Sequence, residues 1–184
     1  MEVVQTILRL IQLLWIIILL GLLGNVIASN RNGHMASINY ALFSVVLATV
    51  TVLWGLGTSL FSALAGGPMA IITLALDGLS TLFTFIAGIV LAAKLHAVDC
   101  GGNLSHRSSN WIGFGSGNDE KRCRELQAST AFLWFLFACL AATFAMSIMQ
   151  SMRGGSTGSG VSRRFGGSSA GASGGGPHMA QVRV

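Results

Sequence analysis

The 184-residue sequence has two prolines, one tyrosine and six acidic residues, and only 9% of it is charged. A soluble domain normally carries about 25% charged residues to cover its surface. So little charge excludes an acidic disordered chain and argues against a water-soluble globule. Three cysteines are too few for a disulfide scaffold. What the chain has instead is apolar bulk: 52% of residues are hydrophobic. The net charge of +5 is no nucleic-acid signature, because the basic residues avoid the apolar runs and gather in one loop and a tail.

Crossing a hydrocarbon layer about 30 Å thick takes about 20 apolar residues as a helix. Four stretches qualify, at Val4 to Ala28, Ile38 to Leu64, Met69 to Ala93 and Ala128 to Met152. Backbone polar groups in lipid must be satisfied within each segment. The expected fold is therefore an all-α, four-helix transmembrane bundle over residues 1–152. A β-barrel would show alternating ten-residue strands, and these runs are continuous. Val26-Ile27-Ala28 would suit a signal-peptide cleavage site, but Glu2 in the leading region and the long apolar run speak against one.

Ala65-Gly66-Gly67-Pro68 reads as a tight turn, and Lys94 to Gln127 as the one sizeable loop. Residues 153–184 form a Gly/Ser-rich tail, with ten of the 24 glycines between Gly154 and Gly176. Such a composition buries too little to build a core and is expected to stay flexible and disordered. An even number of spans puts both termini on one face. Basic residues near the spans number four on the terminal side and six on the loop side, which leans towards outside termini. Two features outweigh that lean. Asn103-Leu104-Ser105 is a glycosylation sequon, and Cys100 and Cys123 bracket the same loop, as suits an oxidising compartment. The expected topology has cytosolic termini and an extracellular large loop.

Few side chains carry chemistry. Cys100 and Cys123 fit a disulfide closing a 24-residue loop, worth about 3 kcal/mol by chain entropy. Two free thiols, or a metal site shared with His96 and His106, are the other readings, although the spacing matches no usual zinc pattern. Cys139 sits mid-span as a small packing residue. Asp77 is the one ionisable side chain deep in a span, about 13 Å from a helix start at Pro68. Burying a charge there costs about 2.5–3.5 kcal/mol on insertion scales. Thr73, Asp77, Ser80, Thr81, Thr84 and Gly88 share one helical face, with Thr73 and Thr81 one turn either side of the carboxyl. Arg9 is the nearest counter-ion candidate. At about 7 Å from a start at Val4 its register is poor, and snorkelling to the interface is its expected fate. Small and polar positions at Ser44, Thr51, Gly55, Thr58 and Ser62 in the second span suit close helix packing, or self-association in the membrane plane. Trp111 is expected to pack on the bundle top. Arg153, Arg163 and Arg164 are candidate lipid-headgroup contacts, each worth about 1 kcal/mol near an anionic leaflet. No catalytic set, P-loop or cofactor motif emerges, so no enzyme activity, cofactor or nucleic-acid partner is expected.

Several strings together point further. Ser37-Ile38-Asn39-Tyr40 opens the second span. Thr73-Leu74-Ala75-Leu76-Asp77 leads into Leu82-Phe83-Thr84-Phe85-Ile86-Ala87-Gly88, and Arg122-Cys123-Arg124 precedes Gln127-Ala128 and Ala131-Phe132-Leu133-Trp134-Phe135. From Met1 to Met152 the chain resembles the fungal non-classical export protein family, a branch of the MARVEL-domain proteins. The resemblance implies a four-span bundle with cytosolic termini. It also implies plasma-membrane residence in the eisosome-associated furrow compartment, and a role in organising that domain and its sphingolipid response. Family members carry an acidic residue at the place of Asp77 and cysteines at those of Cys100 and Cys123. This chain departs in a more charged loop, at Asp119-Glu120-Lys121, and a longer glycine tail.

Three functions are thus in competition. The first is a non-enzymatic membrane organiser, whose partners are lipids of a sphingolipid- or sterol-rich domain, other membrane-domain proteins and copies of itself. The second is a small transporter or channel using Asp77. The third is an export or trafficking accessory acting through the loop or tail.

Overall fold

The computed structural model describes residues 2–31, 35–60, 68–96, 100–101 and 111–155. Four helices account for nearly all of them: α1 (Glu2–Ala28), α2 (Ala36–Leu60), α3 (Pro68–Leu95) and α4 (Asp119–Gly155). Each is long and apolar enough to cross a membrane, and among the described residues there is no strand. Sequentially adjacent helices pack side by side, and α4 closes the ring against α1. The result is an up-and-down, all-α four-span bundle, as the apolar runs require.

The core is a column of interlocking side chains. Ile16, Leu19, Leu23 and Val26 of α1 meet Ile38, Ala41, Val45, Ala48 and Val52 of α2, Ala87, Leu91 and Leu95 of α3, and Leu126, Leu133, Leu136 and Leu140 of α4. Aromatic pairs line three seams. Trp15 stacks on Phe132 at 5.4 Å between α1 and α4. Phe43 meets Phe83 edge-on at 5.8 Å between α2 and α3. Phe85 meets Trp134 edge-on at 5.9 Å between α3 and α4.

One boundary differs widely from expectation. α4 begins at Asp119, not near Ala128, and runs for 37 residues. Its polar first turns are helical because Asn118 caps them, its Oδ1 accepting from the Lys121 backbone N–H at 3.1 Å. Asp119 and Glu120 suit the positive helix start, and the pairs Glu120–Arg124 and Lys121–Glu125 lie one turn apart. The expected loop of 94–127 therefore shrinks to the stretch between Leu95 and Asp119. At its start, His96 closes α3 with a left-handed φ of 57°, the C-terminal stop that glycine more often supplies. α2 is described to Leu60, so its expected end at Leu64, Ser62 and the turn up to Gly67 lie outside the described residues. The same holds for Asn103, His106 and the tail from residue 156.

Candidate functional site

Polar side chains in a span must find partners inside the bundle. Asp77 on α3 is fully buried, and Arg9 on α1 is 1% exposed. Arg9 Nη2 lies 2.7 Å from both carboxylate oxygens. The guanidinium does not snorkel. α1 begins at Glu2, two residues before the expected start, which puts Arg9 about 10 Å into its helix and nearly level with the carboxyl. Gly55 of α2 clears the space: a Cβ there would stand 2.6 Å from Arg9 Nε and 2.7 Å from Cζ.

The pair sits in a wider network. Arg9 Nη1 donates to Gln12 Oε1 at 3.4 Å, and Gln12 Nε2 donates to Thr143 Oγ1 at 3.1 Å. Ser147 Oγ donates to Asp77 Oδ2 at 3.4 Å. Gln5 Nε2 donates to Ser147 Oγ at 3.3 Å, and Gln150 Nε2 donates to Gln5 Oε1 at 3.2 Å. A chain of hydrogen bonds thus leads from exposed Gln150 to the buried pair.

Thr73 and Thr81, expected beside the carboxyl, do not serve it. Thr81 Oγ1 donates to the Asp77 backbone carbonyl at 2.6 Å. Thr73 Oγ1 donates to Met69 O at 3.0 Å and accepts from Trp54 Nε1 at 3.1 Å, tying α2 to α3. A hydroxyl on a helix finds its own carbonyl one turn back more readily than a neighbouring side chain. Ser80 is buried on the same face as Asp77 and has no hydrogen-bond partner among the described residues.

Sequence reasoning passes over Gln5, Gln12, Thr143, Ser147 and Gln150. A signal was present: Gln5, Arg9 and Gln12 are spaced four and three apart, and so are Thr143, Ser147 and Gln150. Each set marks one polar face on an apolar helix.

A second polar centre holds the loop end. Cys100 and Cys123 form a disulfide with Cα atoms 5.7 Å apart, which removes both sulfurs from any metal site. Cys139 is free and half-buried. Arg122, beside Cys123, is 1% exposed. Its Nε donates to Ile112 O at 3.1 Å, and its Nη1 donates to Val26 O at 3.4 Å and Asn30 Oδ1 at 3.3 Å. Its Nη2 lies 3.6 Å from Met35 Sδ. One guanidinium thus joins the loop to the ends of α1 and α2. Trp111 is buried and donates from Nε1 to Leu95 O at 3.2 Å, closing the end of α3. Gly115, with φ of 107°, accepts from the Arg31 backbone N–H at 2.7 Å. Arg153 lies within α4; Arg163 and Arg164 lie outside the described residues.

Four long apolar helices around an internal ion pair, capped by a disulfide-tied loop, define a polytopic membrane protein. The family model for the MARVEL membrane-associating domain matches residues 2–146. The chain is 36% identical over 157 residues to Non-classical export protein 2 of Saccharomyces cerevisiae, covering 85% of this chain and 86% of that protein. It is 32% identical to Non-classical export protein 2 homolog 1 of the same yeast, covering 85% and 87%. It is also 32% identical to Non-classical export protein 102 of Candida albicans, covering 82% and 85%. No solved structure matches the chain significantly. The chain belongs to the non-classical export family of MARVEL-domain membrane proteins.

Proposed function

We propose that this protein is a non-enzymatic organiser of plasma-membrane domains of the eisosome or furrow type, with both termini cytosolic. The observation that carries this reading is the division of the bundle. Arg9, Gln12, Asp77 and Thr143 are buried inside, while Leu10, Leu14, Ile17, Val46, Val50, Leu53, Leu82 and Ile89 are exposed on the outside. A rigid apolar girdle gives lipids and neighbouring membrane proteins a fixed surface, and differential contact energy with that surface sorts the protein between lipid compositions. Its partners on this reading are sphingolipid- or sterol-rich lipid, other domain proteins and copies of itself. The relatives' names add a role in non-classical export, with domain organisation as the way the protein contributes.

The test is imaging of the tagged full chain. Patchy distribution that disperses when sphingolipid synthesis is blocked is the expected result, and uniform fluorescence that ignores sphingolipid depletion counts against it. Glycosylation mapping at Asn103 checks the sidedness, with modification expected. The transporter alternative makes Asp77 the carrier group. The ion pair with Arg9 argues against a freely cycling carboxylate, and flux in proteoliposomes that vanishes in Asp77→Asn would restore that alternative.

A further inference from the structure

Six hydroxyl side chains are fully buried in the described bundle: Ser44, Thr51, Ser80, Thr84, Ser129 and Thr143. Four of them donate to a backbone carbonyl of their own helix, to Tyr40 O, Leu47 O, Glu125 O and Leu140 O. Ser80 and Thr84 do not. Neither hydroxyl has a hydrogen-bond partner among the described residues. Both stand on the Asp77 face of α3, about 4.5 and 10 Å further along the helix.

Their surroundings are partly polar. The Arg9–Asp77 pair and the parallel course of α1 and α3 set Gln12 level with Ser80. The Trp54–Thr73 and Phe43–Phe83 contacts set the small side chains Ala48 and Ser44 of α2 level with Ser80 and Thr84. On the terminal side the network reaches exposed Gln150 through half-buried Gln5 and Ser147. On the loop side a leucine layer follows, with Leu19, Leu23, Leu91, Leu133 and Leu136 fully buried, and the buried Ser129 hydroxyl beyond it is bonded to Glu125 O of its own helix.

We propose that Ser80 and Thr84 are a binding site for internal water, which extends the Arg9–Asp77 network into a one-sided inlet from the terminal face. A buried hydroxyl left without a partner has given up its hydration with nothing in return. Internal water is the usual partner for such groups, and it needs two to four polar neighbours, roughly three on average. Gln12, Thr143 and the two hydroxyls supply that number. The leucine layers end the inlet part-way across. Asp77 therefore meets solvent protons from the terminal face only.

The experiment uses the full chain in phosphatidylcholine vesicles. Water-edited solid-state NMR measures how fast magnetisation passes from water to each side chain. Ser80 and Thr84 are expected to build up as fast as Ser147, with Leu133 and Leu136 several-fold slower. Ser80 and Thr84 as slow as those leucines would overturn the proposal. A second reading comes from thermal unfolding of Ser80→Ala and of the near-isosteric Thr84→Val. Water-bound hydroxyls make both variants melt lower, because the water loses a partner. An unchanged or raised midpoint in either variant marks a dry hydroxyl and overturns the proposal.

Discussion

A single nitrogen of Arg9, Nη2, contacts both carboxylate oxygens of Asp77 at 2.7 Å across 68 residues of sequence. This leaves Nη1 for Gln12 and joins α1 and α3, which stand across the ring from each other. Such a pair is a weak source of net stability, since both charges give up water. Breaking it is costly all the same, because one charge is then stranded.

Arg9→Met or Asp77→Leu alone is therefore expected to destabilise the bundle by about 3–5 kcal/mol, and the double variant by much less. Denaturant unfolding in lipid discs measures the cycle. A double variant that costs as much as the two single variants added together would show that the two side chains do not act together.

Gly55→Ala drives a methyl into the Arg9 guanidinium, whose atoms would lie 2.6–2.9 Å from the new Cβ. Overpacking of this kind costs about 1–3 kcal/mol. Gly57→Ala, with nothing within 4 Å of its Cβ, is the neutral control. Comparing their melting midpoints tests whether the space beside Arg9 is as tight as described.

Replacing both Cys100 and Cys123 with Ser removes a loop constraint worth about 3 kcal/mol. The expected outcome is a lower unfolding midpoint that no longer responds to reductant, with the protein still resisting alkaline carbonate extraction. The four helices span the membrane without the bridge; the bridge holds the loop.

Arg122→Lys keeps the charge but not the planar fork that reaches Ile112 O, Val26 O and Asn30 Oδ1 together. A loss of about 1.5–3 kcal/mol is expected, the scale of one charged hydrogen bond. Arg124→Lys alters an exposed pair with Glu120 and should change stability by less than about 1 kcal/mol. Unfolding of the two variants side by side separates them.

The spans were legible because length and unbroken hydrophobicity are enough to define them. The inward place of Asp77 was legible because its neighbours share one helical face. The partnership with Arg9 was not. It depends on where α1 starts and on the missing side chain at Gly55, and both are matters of register between helices. Thr73 and Thr81 misled because local backbone carbonyls compete for hydroxyls. The start of α4 was hidden by reading polarity as loop, although Asn118, Asp119 and the charge pairs one turn apart are helix signals. Arg122 had no visible role until the fold brought the ends of α1 and α2 to it.

The length of α4 has a consequence of its own. Its 37 residues make a rod of about 55 Å, well beyond the hydrocarbon thickness of about 30 Å. The first turns of that rod therefore stand clear of the lipid as a stiff shoulder. Cys123 anchors it on the buried side, and Lys121, Arg124 and Gln127 face outward. An antibody raised against that shoulder would recognise a folded epitope, and its binding would weaken on reduction without any change in the amount of protein in the membrane.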